Sequence, residues 1–120
     1  MKCIKCVGEW IPTTLGPVTL DRCDLCGGIW FDGQELSRII AHVRAGGAPP
    51  GVERTTPHDK DAAACPRCGT ELECQPLLSI DDVHYDKCPQ GHGVWLDGGE
   101  LNKITADPKA AAEADFFTRR

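Results

Sequence analysis

Residues 23–36 read CDLCGGIWFDGQEL, and residues 88–101, 65 positions later, read CPQGHGVWLDGGEL. Each copy is preceded by its own Cys-x2-Cys pair, Cys3/Cys6 in the first and Cys65/Cys68 in the second. A tandem repeat fixes the units of folding before any element can be assigned. The units are about 40 residues long, a size at which a chain rarely buries enough apolar surface without a metal, disulfides or a partner. Eight cysteines in 120 residues offer either of the first two. The opening MKCIKCVGEW has no apolar leader segment and no run approaches membrane-spanning length, so a cytoplasmic protein with reduced thiols is expected. Metal is then the expected staple.

The ligand pattern of the first unit is C-x2-C-x16-C-x2-C, through Cys3, Cys6, Cys23 and Cys26. That spacing fits a four-thiolate structural zinc site, with each Cys pair on a tight turn whose backbone N–H groups face the sulfurs. Leu15-Gly16-Pro17 signals a hairpin that carries the chain from the first turn to the second. The second unit departs from the pattern. Gly91 stands where Cys26 did, and His92 follows, giving C-x2-C-x19-C-x3-H through Cys65, Cys68, Cys88 and His92. An imidazole reaches further than a thiolate, and Cys3His is an ordinary zinc set. Cys74 and His84 are the rival fourth ligands, but they align with Pro12 and Thr19, which cannot ligate in the first unit. His84 should face outward between Val83 and Tyr85, and Cys74 should be a partly buried strand cysteine. His58 has no ligand partner in register. Two zinc ions per chain are expected.

After each second turn comes a short apolar strand containing Trp30 or Trp95, read as a residue of a small core. Asp32-Gly-Gln-Glu35 and Asp97-Gly-Gly-Glu100 then look like capping boxes, with the Asp as N-cap and the Glu reaching back. Leu36, Ile39, Ile40 and Val43 follow at helical spacing. This stripe either packs on its own unit or docks on a partner. The organisation expected is a first unit with trailing helix over 1–45, a linker over 46–64, a second unit with a shorter helix over 65–107, and a tail over 108–120. The tail has room for a turn or two of helix and carries Phe116-Phe117.

The stretches CIKCVGE, CDLCGGIWFDGQEL, CPRCGTE and CPQGHGVWLDGGEL resemble the zinc-ribbon family named for transcription factor IIB, present here in two copies. The resemblance implies a small metal-stabilised α+β fold: two zinc ribbons, each a pair of knuckles on β-hairpins followed by a short α-helix. It carries the ligand role to Cys3, Cys6, Cys23, Cys26, Cys65, Cys68 and Cys88, with His92 in place of the expected cysteine. It implies zinc binding and names no activity.

Charge and motif content narrow the function. The formal net charge is −5, and two thiolate-rich zinc sites take the loaded chain to about −8. Lys and Arg are scattered among acidic neighbours, which disfavours binding to a phosphate backbone. A catalytic zinc keeps one position open, whereas each site here has four candidate protein ligands, so no enzyme is expected. A non-enzymatic zinc module that binds a protein partner is the leading expectation, with a nucleic-acid-binding ribbon as the alternative.

Overall fold

The two halves share one sheet. The computed structural model describes residues 2–5, 8–16, 18–32, 34–46, 63–80, 83–97 and 99–118, with the backbone alone at 117 and 118. The first half contributes β1 (Trp10–Leu15), β2 (Val18–Cys23), β3 (Ile29–Asp32) and helix α1 (Glu35–Arg44). The second contributes β4 (Glu73–Pro76), β5 (His84–Lys87), β6 (Gly93–Leu96) and helices α2 (Glu100–Ala106) and α3 (Pro108–Thr118). The six strands run in the order β1-β2-β3-β6-β5-β4, each antiparallel to its neighbours. This is the small α+β architecture that the family resemblance implies. Most of the linker, residues 47–62 with His58, lies outside the described residues.

The joint is β3 against β6, and its register is symmetric. Trp30 pairs with Trp95, its own counterpart in the other copy, and Ile29↔Leu96 and Phe31↔Val94 flank that pair as mates. A local twofold axis therefore passes between the two tryptophans. Side chains alternate across the strands. Val18, Leu20, Ile29, Phe31, Tyr85, Val94 and Leu96 point to one face and form the main core with the helices. Trp30, Trp95, Cys23 and Cys88 belong to a second cluster on the other face, together with Trp10, Cys3, Cys26, Cys65 and Leu72.

Two glycines let the halves close. A Cβ on Gly28 would fall against Trp95 Cζ2, with Cη2 at 2.7 Å and Cε2 at 2.9 Å. A Cβ on Gly93 would meet the backbone oxygen of Phe31 and lie 2.6 Å from Trp30 Cζ2. Gly28, just ahead of β3, and Gly93, the first residue of β6, thus each seat the tryptophan of the other copy.

The helices cover the opposite face. Leu36, Ile39 and Ile40 of α1 are buried in the main core, each burial contributing roughly 1.5–3 kcal/mol. These three residues of the expected stripe pack in the core and leave no docking face at their positions, and the fourth, Val43, is half-buried. The segment expected as a tail is instead an eleven-residue helix, α3, packed against α1 and α2. Its small residues Ala110, Ala111 and Ala114 are buried and permit close approach. Glu113 fastens α3 to the bend that follows β4 by accepting the backbone N–H groups of Leu78 and Ser79, both at 2.7 Å. Burial opposes its charge, yet these two donors and the Ser79 side chain hold the carboxyl below its ordinary value.

The capping boxes are only half present. Glu35 reaches back as expected, its Oε1 accepting the Asp32 N–H at 2.8 Å. Asp32 does not cap the helix: α1 begins after Gln34, whose side chain makes no capping bond. Its Oδ1 accepts Trp30 Nε1–H at 2.9 Å, and Asp97 accepts Trp95 Nε1–H at the same distance. A buried indole N–H needs an acceptor, and the residue two along the strand stands on the same face. In the second copy Gly99, at φ +87°, precedes α2, and Glu100 accepts the His84 N–H at 2.9 Å.

Candidate metal centres

The knuckles form because short backbone bonds fold the chain around each cysteine. Cys23 N–H donates to Gly28 O at 2.9 Å and Cys88 N–H to Gly93 O at 3.1 Å, so both second knuckles close over the same number of residues. Within that span the turns differ. In the first, Gly27 takes the left-handed conformation, at φ +77°, immediately after Cys26. In the second, Gly91 takes it at φ +81°, one position earlier. The left-handed residue and the ligand have exchanged places, so His92 arrives where the metal-facing side chain is needed without disturbing β6. Amide donors point at the sulfurs: the Lys5 N–H on Cys3, the Leu25 and Cys26 N–H groups on Cys23, and the Arg67 N–H on Cys65, each at 3.4 Å.

Two groups of ligand atoms result. Cys65, Cys68, Cys88 and His92 place theirs within 4.8 Å of one another, as do Cys3, Cys23 and Cys26. Cys6, the fourth residue expected at the first centre, lies outside the described residues. With Zn–S at about 2.3 Å and Zn–N at about 2.0–2.1 Å, a tetrahedron requires S···S near 3.8 Å and S···N near 3.6 Å. The structure has Cys3 Sγ···Cys26 Sγ at 3.9 Å and Cys68 Sγ···Cys88 Sγ at 3.7 Å. His92 Nδ1 lies 3.6 Å from Cys88 Sγ and 3.9 Å from Cys65 Sγ. The separations are those of a coordination shell, and Nδ1 is the nitrogen presented. Cys74 on β4 and His84 on β5 stand outside both groups. Cys74 is exposed, because β4 is an edge strand, contrary to the partly buried position expected for it.

The electrostatics point the same way. Its contact with Cys3, and then burial, push the Cys26 thiol far up. Burial also raises Cys65. Cys68 is exposed and falls to about 6, because the hydroxyl and the N–H of Thr70 donate to its thiolate. Crowded thiols of this kind cannot ionise together unless a cation sits among them. The four donors of the second centre and the three thiols described at the first, none of them in a disulfide, fit two zinc sites.

Cations from the knuckles cross the joint, a feature that spacing alone did not disclose. Lys5 Nζ lies 2.6 Å from Asp86 and 3.3 Å from Asp97, with its side chain 0% exposed and theirs 7% and 2%. Burial alone would lower the Lys5 pKa, but the bond to Asp86 and the two carboxylate charges hold it above its ordinary value. Arg67, at the same place in the second copy, lies 3.4 Å from Asp32, but that pair is 57% and 43% exposed. The signal for both contacts was a basic residue in each first knuckle and an Asp after each tryptophan.

A small sheet with two knuckle-built metal centres defines a zinc-ribbon protein. Residues 2–42 and 64–107 each match the model of one family, described as transcription factor zinc-finger, the zinc ribbon of the transcription factor IIB type. The chain belongs to that family and carries two copies of it. No curated protein and no solved structure matches the chain.

Proposed function

We propose that this protein is a non-enzymatic, zinc-built adaptor that binds another protein in the cytoplasm. The observation that carries the reading is the second centre. Its four protein donors stand at the separations of a complete tetrahedron, which leaves no coordination position for water or substrate. Zinc there serves to fold the chain. Bulky apolar side chains exposed in the second half, Leu78 at 82% and Phe116 at 54%, give a partner something to grip. The family's description contains the word transcription, and docking on a protein of the transcription machinery is the finer form of the proposal.

Nucleic-acid binding has less support. Trp30 and Trp95, the side chains best suited to stacking on bases, are buried at the joint. The net charge of −5 opposes a phosphate backbone. The test pairs two measurements on the zinc-loaded chain. Affinity capture with wild type and with Leu78→Glu plus Phe116→Glu, zinc content unchanged, should recover a protein partner only with wild type. Anisotropy titrations with labelled DNA and RNA at physiological salt should show no sub-micromolar binding. Such binding, or zinc-dependent turnover of a substrate, refutes the adaptor reading.

A further inference from the structure

We infer that the two zinc sites are thermodynamically coupled, and that Lys5 is the link. The backbone of Lys5 belongs to the first centre, because its N–H donates to Cys3 Sγ at 3.4 Å inside the knuckle closed by Cys3 N–H on Gly8 O at 2.9 Å. Its side chain belongs to the second unit. The ammonium is buried between Asp86, two residues before the ligand Cys88, and Asp97, which also holds the Trp95 indole. When the first knuckle closes on its ion, it therefore sets a positive charge between two carboxylates of the other ribbon. When that knuckle opens, Asp86 and Asp97 lose this buried counter-charge, a strongly unfavourable state. Trp95 passes the effect back, since it stacks on Trp10 of the first unit with centroids 5.9 Å apart. Coupling of this kind is reciprocal: each ion strengthens the other's site by the same factor.

The two bridges across the joint are unequal, which makes the assignment specific. Arg67–Asp32 is related to Lys5–Asp97 by the local twofold, but it is largely solvated, and an exposed pair contributes little. Lys5 carries the link, and Arg67 serves as an internal control. The inference rests on the zinc reading of both centres, and its test separates the two. Zinc content of the purified chain by elemental analysis decides the zinc reading. Coupling is read from the release of that zinc to a graded metallochromic chelator, with cysteine alkylation and mass spectrometry showing which site has opened.

The wild-type chain should lose both ions in one joint transition. Lys5→Met should still purify with two zincs but release them in two steps, separated by at least tenfold in chelator concentration. Lys5→Arg, which keeps the charge, should restore joint release, and Arg67→Met should never lose it. If Lys5→Met does not fold, Asp86→Asn tests the same bridge and should also split the release. Separate release by wild type overturns the inference. So does joint release by whichever bridge variant is tested, even at a lower chelator concentration, because that is the mark of a merely structural role.

Discussion

Gly28→Ala should unlock the joint between the ribbons. The added methyl falls on the Trp95 ring, with two further ring atoms at 2.7 and 2.9 Å. That ring is fully buried, stacked on Trp10 and tied to Asp97. Overpacking a rigid core costs about 1–3 kcal/mol. Displacing the indole also weakens a hydrogen bond to a charged group, worth about 1.5–3 kcal/mol. Against this, replacing glycine restricts the unfolded chain and returns about 0.4–1 kcal/mol. The net loss is about 3 kcal/mol, or a fall of roughly 10 °C in Tm for a domain of this size. Thermal unfolding of the zinc-saturated protein, followed by near-ultraviolet circular dichroism, measures it. Gly28→Ala combined with Trp95→Phe should be more stable than the two separate losses add up to, by at least about 1 kcal/mol. A Tm within about 2 °C of wild type, or strict additivity in that cycle, would refute the interlock.

His92→Ala should purify with one zinc per chain while Cys74→Ser and His84→Ala keep two, as read by elemental analysis; loss of zinc from Cys74→Ser would reverse the assignment. In the loaded protein a maleimide should label Cys74 rapidly and the other seven cysteines only after chelation, a difference that intact-mass measurement resolves. Glu113→Gln should cost about 1 kcal/mol at pH 7, since a neutral amide accepts the Leu78 and Ser79 N–H groups less strongly than a carboxylate, and denaturant titration will show it. Ala111→Glu, which buries a carboxylate between helices, should cost at least about 3 kcal/mol by the same assay and leave the zinc count at two.

The ligand residues were legible because metal geometry is written in short spacings. Cys-x2-Cys turns and the Gly91-His92 displacement are local, and each of their consequences falls within five residues. The joint was not legible in this way. Gly28 and Trp30 look like parts of one motif serving one unit, yet the glycine exists to receive Trp95, and nothing in a single copy states that its own strand edge is the partner. The capping boxes misled for a related reason. Asp32 and Asp97 stand where an N-cap would, but a buried indole N–H two residues earlier competes for the same carboxylate and wins. The helix α3 was hidden by composition, since KAAAEAD offers only alanine to a core, and its packing depends on how near α1 and α2 stand.

The sheet also sorts the chromophores. All three tryptophans lie in the cluster with the metal-binding cysteines, and the single tyrosine, Tyr85, lies in the core beneath the helices. Indole emission therefore samples the metal side alone, and tyrosine emission samples the helical side. Cobalt in place of zinc would put thiolate-to-metal absorption beside the indoles, where energy transfer quenches them and leaves Tyr85 further off. One cuvette can then follow metal exchange and core melting as separate optical channels, with no label attached to the chain.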